Sequence, residues 1–426
     1  MGKKGEGVVH ATLPIYIPDC VPGDEVEFKI IKVLKRRAFA RLIRVIKPSP
    51  HRVVAKCSVA KPCGGCQLQC YSQSLQVRLK SDLLKSRLQR FLDIPDTCFK
   101  PMVYGDEWQT RNKMQFALAE GEHGLQIGLY AHRSHRVVDI AYCEVMPDAM
   151  NQVLKSVKAW HSNNPIPVFN EQTADGILRF LTIRYSSATN QLMVILTVVR
   201  PFNMDSFIDA LAGMKGMASV YVSVQADPTR DHVLGPSLTC VWGAATIADV
   251  VHGCACQVSP DSFMQANHTL VSALYDVVLK ATDGRDSVLD CYCGTGVLTC
   301  LMAKRGLNVT GVDIHKPAIQ NAIENAQNNQ VLVEFKCMDA MAYIQTTHKT
   351  FDTMVIDPPR KGCDSDFLNA AIDGVFKQII YVSCYPDTLG RDLRQLVDGG
   401  YRIDSVQGVD MFCHTPHIEC VVVLKR

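Results

Sequence analysis

The 426-residue sequence predicts an α/β protein. Residues 256–426 read as a doubly wound, mostly parallel sheet, preceded by a small N-terminal β-barrel at 1–50 and a central α+β domain at 51–255. Three observations carry this reading. From Ser287 onward apolar strands alternate regularly with helical stretches, as in repeated βα units. Residues 100–250 set strand-like runs between Gly, Asn and Asp turns, an antiparallel pattern. The first fifty residues are short alternating strands with strong turn signals.

In chain order, VPGDEVEFKIIKVLKRR places a Pro-Gly-Asp turn before a basic strand and AFARLIRVI alternates loosely. A compact barrel of about five strands suits this length, and such barrels commonly bind nucleic acid. KPSPHR reads as a boundary, followed by a Cys- and Gly-rich stretch at 57–70. QSLQVRLKSDLLKSRLQRFL then spaces its leucines as an amphipathic helix. LRFLTIRYSS, NQLMVILTVVR and ASVYVSVQA are the central strands, and a helix is expected from about Asn267 to Ala281. In the C-terminal part SVLDCYC, NVTGVDI, LVEFKCMD, TMVIDPP and QIIYVSC are the strands of the βα units. YRIDSVQGVDMF and HIECVVVLKR add a closing antiparallel pair.

Composition narrows the class. No run of 18 or more apolar residues occurs and the start lacks an apolar signal region, so a soluble cytoplasmic protein without a membrane span is expected. In a reducing compartment, clustered members of the 18 cysteines read as metal ligands or nucleophiles before disulfides. Residues 1–100 carry 19 Lys and Arg against 8 Asp and Glu, while the remaining 326 carry 26 against 34. A basic head on a mildly acidic body suits a polyanion docked at the N-terminal end, with Lys32, Lys35, Arg36, Arg37, Arg41 and Arg44 as candidate phosphate contacts.

Several signals carry chemistry. Asp290-Cys-Tyr-Cys-Gly294-Thr295-Gly296 joins the first strand of the sheet to its first helix, where glycines let a ligand approach the backbone. Asp313 ends the next strand, 17 residues after Gly296, where a carboxylate can accept both ribose hydroxyls of a nucleoside. Thr299 stands at the third glycine position of a dinucleotide fingerprint, so S-adenosylmethionine, which has ribose and adenine but no phosphate, fits better than a dinucleotide. Asp357-Pro-Pro-Arg360 and Cys384 end the fourth and fifth strands at the same edge, and Cys384 there is a candidate nucleophile. HTPHIEC offers Glu419 with His414 and His417 just upstream, the histidines suiting positioning or RNA contact. Cys57, Cys63 and Cys66 form C-x5-C-x2-C, a metal signal that needs a distant fourth thiolate; zinc and iron–sulfur both suit it, with Cys143 or Cys70 as the fourth ligand.

The runs DCYCGTG, FMQAN, VIDPPRKG, YVSCYPDTLGRDL and DMFCHTPHIE resemble the S-adenosylmethionine-dependent RNA uracil-C5 methyltransferases. The N-terminal segment resembles their TRAM domain. CSVAKPCGGCQLQC with SHRVVDIAYC resembles the iron–sulfur branch that methylates 23S ribosomal RNA. The resemblance spans essentially the whole chain. It implies a Rossmann-like methyltransferase domain, with Cys384 as nucleophile and Glu419 as base. It further implies Gln265, Tyr292, Asp313, Asp339 and Asp357 at the cofactor site, and Phe263 near the target base. Cys57, Cys63, Cys66 and Cys143 would hold a [4Fe–4S] cluster, which settles the fourth ligand on Cys143. The chain departs from the family pattern at Tyr385, usually Asn, at Cys413, usually Pro, and at Val297, where some ribosomal members carry Asn.

The expected reaction is methylation of one uridine of 23S ribosomal RNA, with no membrane and no obligate protein partner. Transfer RNA is the alternative substrate. An amino-methyltransferase, suggested by the DPP run, would have no use for Cys384. A cytosine-C5 enzyme shares the thiol addition and is separated from the uracil reading by its product. The rival from another class is a noncatalytic iron–sulfur RNA-binding ribosome assembly factor. It predicts RNA affinity without methyl transfer.

Overall fold

The computed structural model describes residues 1–132, 134–227, 232–374 and 376–426. At the N-terminus β1 (Gly7–Val9), β2 (Ile15–Ile17), β3 (Glu25–Leu34) and β4 (Arg37–Lys47) form one sheet in the order β1-β2-β4-β3. Four strands thus stand where about five were expected. Ile15, Ile17, Cys20, Ala38 and Ala40 make its small core. The Asp24 carboxylate closes the Pro-Gly-Asp turn by accepting from Val21 N and Ser49 N, and it pairs with Arg52. Lys35 and Arg36 form the tip between β3 and β4, whose outward residues include exposed Ile30, Ile31, Val33 and Ile43.

The cysteine-rich loop leads into α1 (Gln73–Leu88), capped by the Ser72 hydroxyl, and then β5 (Phe99–Val103). The central sheet comprises β6 (Lys113–Gly121), β7 (Gly124–Tyr130), β8 (Val137–Asp139), β9 (Leu178–Ser186), β10 (Gln191–Val198), β11 (Met217–Val224) and β12 (Ser237–Gly243). Their order is β12-β11-β10-β9-β6-β7-β8. Helices α2 (Asp148–Asn163) and α3 (Asp205–Ala212) cover it through Val153, Leu154, Val157, Trp160, Phe207 and Leu211. The antiparallel expectation fails at one place: β10 and β11 are parallel, because α3 lies between them and carries the chain back to the starting edge. A hairpin of β13 (Ile247–Val251) and β14 (Cys254–Val258) follows.

The C-terminal elements are α4 (Val271–Ala281), β15 (Ser287–Cys291), α5 (Val297–Lys304), β16 (Asn308–Asp313), α6 (Lys316–Asn328), β17 (Glu334–Cys337), α7 (Ala340–Thr346) and β18 (Thr353–Ile356). They continue with α8 (Ser365–Asp373), β19 (Gln378–Ser383), α9 (Pro386–Asp398), β20 (Arg402–Val409) and β21 (Glu419–Lys425). The sheet order is β17-β16-β15-β18-β19-β21-β20-β5, with β21 antiparallel to both neighbours. Successive residues bury on opposite faces. Leu289, Cys291, Met354, Ile356, Ile379 and Tyr381 pack on the α7–α8–α9 side, while Val288, Val309, Val355, Ile380 and Val382 pack on the α4–α5 side. This is the doubly wound sheet that the βα alternation predicts.

One segment packs outside its expected domain. Although α1 and β5 lie within 51–255, β5 pairs in parallel with β20 as the eighth strand, and Leu84, Leu88 and Met102 join the core of the C-terminal sheet. Without β5, β20 would present an open edge. The helix expected from Asn267 begins at Val271, because the Asn267 carboxamide accepts from Thr269 N and Leu270 N and holds a turn there.

Candidate active site

β15 runs out at Cys291 into a turn where Tyr292, Gly294 and Gly296 all have positive φ (62°, 54° and 71°). A Cβ on Gly296 would strike Ala322 and Phe335, so close packing of the turn on α6 demands glycine. A Cβ on Gly294 would meet open space, the side from which a ligand reaches the backbone. The Asp313 carboxylate at the end of β16 is held by two backbone donors, Gly294 N to Oδ2 at 2.9 Å and His315 N to Oδ1 at 2.8 Å. Each oxygen keeps a lone pair for a further donor, so the fixed carboxylate beside an open glycine turn fits the ribose diol of a nucleoside cofactor.

Asp357 follows β18, and Gln265 Nε2 donates to its Oδ2 at 3.3 Å. Gln265 is in turn fixed from the central domain, where Asn112 Nδ2 donates to its carbonyl at 2.8 Å. Burial pushes the Asp357 carboxyl up to about 7. Asp290, not singled out from sequence as a site residue, behaves alike: burial pushes it up to about 7, and Thr299 Oγ1 donates to it at 2.6 Å. The two raised carboxyls flank the open turn and would stabilise a cationic ligand on ionising. Asp339 is exposed and caps α7 by accepting from Ala342 N. Tyr292 stands at the edge, but its ring packs on Phe367, with centroids 5.7 Å apart.

The register of β19 and β21 brings the candidate pair together. Ser383↔Cys420 is the last rung of this antiparallel ladder, so Cys384 and Glu419 are the residues flanking it on the two chains, and Glu419 lies near enough to act on the Cys384 thiol. Glu419 is 3% exposed and its carboxyl is held well above the ordinary range by burial and by Asp357. Burial pushes the Cys384 thiol up to about 11, and Glu419 adds to this. The positive charge of Arg360 pulls both groups back toward ionisation. Arg360 is thus a site residue that sequence reasoning passed over; its signal was its place directly after Asp357-Pro-Pro, at the ligand edge. Phe263, two residues before Gln265, is 69% exposed.

Cys57, Cys63, Cys66 and Cys143 line one cavity of about 420 Å³, together with Arg111, Lys113, Phe263, Met264 and Cys413. Cys70 lines a different cavity, beside Asp19 and Arg52. Burial raises the thiols of Cys63, Cys66 and Cys143, so any metal centre there must supply the positive charge that ionises them. Among the described residues no group of three His, Cys, Asp or Glu side chains is placed to hold a single metal ion. His414 is buried with its ring on Trp108 (4.1 Å between centroids), a positioning place, whereas His417 is exposed beside Phe412.

Among the described residues no helix is long and apolar enough to cross a membrane. Comparison with known proteins agrees with the fold. Residues 251–426 match the tRNA (uracil-5-)-methyltransferase family. An uncharacterized RNA methyltransferase of Bacillus cereus is 36% identical over 99% of this chain and 94% of its own length. An uncharacterized RNA methyltransferase of Clostridium tetani is 32% identical over 100% and 94%. The crystal structure of the Pyrococcus abyssi tRNA (uracil-54, C5)-methyltransferase in complex with S-adenosyl-L-homocysteine superposes with a TM-score of 0.80, at 28% identity, over 96% of this chain and 94% of that one.

Proposed function

Since the chain belongs to the S-adenosylmethionine-dependent RNA uracil-C5 methyltransferase family, we propose that it methylates one uridine of 23S ribosomal RNA through a covalent Cys384 adduct. The observation that supports the mechanism is the convergence of Cys384 and Glu419 at the end of the β19–β21 ladder, with Arg360 and Asp357 acting on them. Uracil C5 is a poor nucleophile, whereas C6 is a Michael acceptor. The Cys384 thiol gives up its proton to solvent, the thiolate sulfur forms a bond to C6, and the C5–C6 π electrons move into an enolate. Bound S-adenosylmethionine supplies an electrophilic methyl group on a sulfonium, and enolate C5 takes it as the methyl–sulfur bond breaks. Glu419 then removes the C5 proton, the C5–C6 double bond re-forms and Cys384 leaves as thiolate. Arg360 favours the thiolate at the first and last steps. Asp313 would hold the ribose, with Gln265, Asp357, Asp339 and the Tyr292 turn bounding the cofactor site, and Asp290 joins them.

The base must be unstacked for a thiol to reach C6. Exposed Phe263 suits the role of packing on the flipped uracil, and the basic β3–β4 hairpin, read as part of a TRAM-like module, suits the flanking phosphates. The four cysteines line one cavity, and the family resemblance reads them as ligands of a [4Fe–4S] cluster, with zinc as the rival. The cluster's own redox chemistry is not required for methyl transfer. Iron and zinc content after anaerobic purification tests this assignment, and stoichiometric zinc would reverse it.

Transfer RNA is the second reading, favoured by the match to the archaeal tRNA enzyme. Nucleoside mass spectrometry of unmodified 23S ribosomal RNA and of transfer RNA, each incubated with S-adenosylmethionine and wild-type or Cys384→Ala protein, decides between them. New 5-methyluridine in ribosomal RNA with wild type alone supports the proposal. Product in transfer RNA alone moves the substrate. None in either, with folded protein, favours the assembly-factor reading.

A further inference from the structure

Glu419 is the first residue of β21 and pairs with Val409, the last of β20, so the ladder ends at the proposed base. Ladder ends fray unless the chain beyond them is gripped. From this geometry we infer that Lys80 and Gln76 of α1 are positioning residues for Glu419, and that the cysteine-bearing loop acts on proton removal through the same clamp. The inference rests on the methyl-transfer reading above.

The clamp is built on residues 410–414. Lys80 Nζ lies 2.5 Å from Asp410 Oδ1 and donates to the Phe412 carbonyl at 3.0 Å, with side chains 0% and 4% exposed. One turn earlier on α1, Gln76 grips His414 twice. Its Oε1 accepts from His414 N at 3.0 Å, and its Nε2 is 3.3 Å from His414 Nδ1. The His414 carbonyl accepts from both Gln67 N and Leu68 N, each at 2.8 Å. These donors directly follow Cys66, and Cys413 itself lines the cysteine cavity. The Cys413 thiol donates to the Asp106 carbonyl at 3.3 Å, which holds the same turn from a third side. The cysteine loop, α1 and the segment leading to Glu419 are therefore one hydrogen-bonded unit.

Stability alone does not account for this arrangement. A buried ion pair is commonly no more stabilising than apolar residues of similar volume, but it specifies one register. Here the register is that of the segment leading to Glu419 against α1. The side chains of the clamp do not include Cys384 or Arg360, so loosening it leaves thiol addition intact and slows removal of the C5 proton.

The test uses the RNA in which wild type forms 5-methyluridine, transcribed with either ordinary or [5-²H]uridine. Gln76→Leu and the double variant Lys80→Met/Asp410→Leu, which leaves no buried charge unpaired, are compared with wild type. Expected for both are normal formation of the denaturation-resistant methylated protein–RNA adduct and turnover lowered by about tenfold or more, part of what a positioned base supplies. A deuterium effect on turnover larger than that of wild type should accompany this. Amide exchange over 410–420 should quicken in both variants and in Cys66→Ser, a readout independent of methylation. Equal loss of adduct formation and turnover, an unchanged isotope effect, or unchanged exchange in Cys66→Ser would overturn the inference. Failure of the underlying reading shows separately, as wild type that forms neither adduct nor product.

Discussion

Cys384 should be a sluggish nucleophile until RNA arrives, and the size of the effect follows from its surroundings. Burial and Glu419 raise the thiol from an ordinary 9.0 to about 11, with Arg360 opposing them. Two pH units correspond to about a hundredfold less thiolate at pH 8 than an unperturbed thiol would carry. Iodoacetamide labelling of RNA-free protein between pH 7 and 11, read by peptide mass spectrometry, measures this, with exposed Cys337 as internal reference. The Cys384 rate should climb through the whole range without a plateau below about pH 10. Glu419→Gln removes a group that opposes ionisation and should move the rise to lower pH, whereas Arg360→Met should move it higher. The midpoint matters more than the absolute rate, because a shielded thiolate also reacts slowly but levels off early. A plateau near pH 8 in wild type, unmoved by Arg360→Met, would refute the reasoning and leave Cys384 a ready thiolate.

Glu419→Gln should retain methyl transfer but stall before release, accumulating covalent RNA adduct on denaturing gels while free 5-methyluridine product falls by at least about a hundredfold. Asp313→Ala should weaken S-adenosylmethionine binding by about ten- to a hundredfold in calorimetry, the loss expected for hydrogen bonds to a charged group, with RNA affinity unchanged. Lys35 stands at the exposed tip of the β3–β4 hairpin, and as a phosphate contact its replacement, Lys35→Met, should lower the slope of log affinity against log salt for RNA by about 1. Asp290 and Asp357 hold protons up to about 7 in the folded chain but release them near 3.8 when unfolded, so folding binds protons across that window. The melting temperature of cofactor-free protein should therefore fall as pH rises from 4 to 7 and then level off. Asp290→Asn should flatten the fall.

What could be read from the sequence was whatever a strand end makes local. Asp313, Asp357 and Cys384 each stand where an apolar run stops, and a parallel sheet presents such ends at one edge. The nearness of Cys384 and Glu419, 35 residues apart in the chain, depends on the register of β19 against β21, and without the family resemblance nothing in either run announces it. Asp290 escaped notice because it lies inside the apolar run of β15, where a carboxylate reads as part of the glycine motif; its importance appears only when burial puts it beside Asp357. That α1 and β5 pack on the C-terminal sheet escaped notice for a related reason. Leu84, Leu88 and Met102 have the periodicity of any amphipathic segment, and periodicity does not say which sheet a buried face meets. The same holds for Lys80, which by sequence is one more cation on a solvated helix face and in the fold is fully buried against Asp410, 330 residues away. Asp313, Asp357 and Cys384, proposed to carry the chemistry, were legible by position along a strand. Residues that aim the chemistry are defined by partners distant in the chain, and those become visible only once the chain has folded.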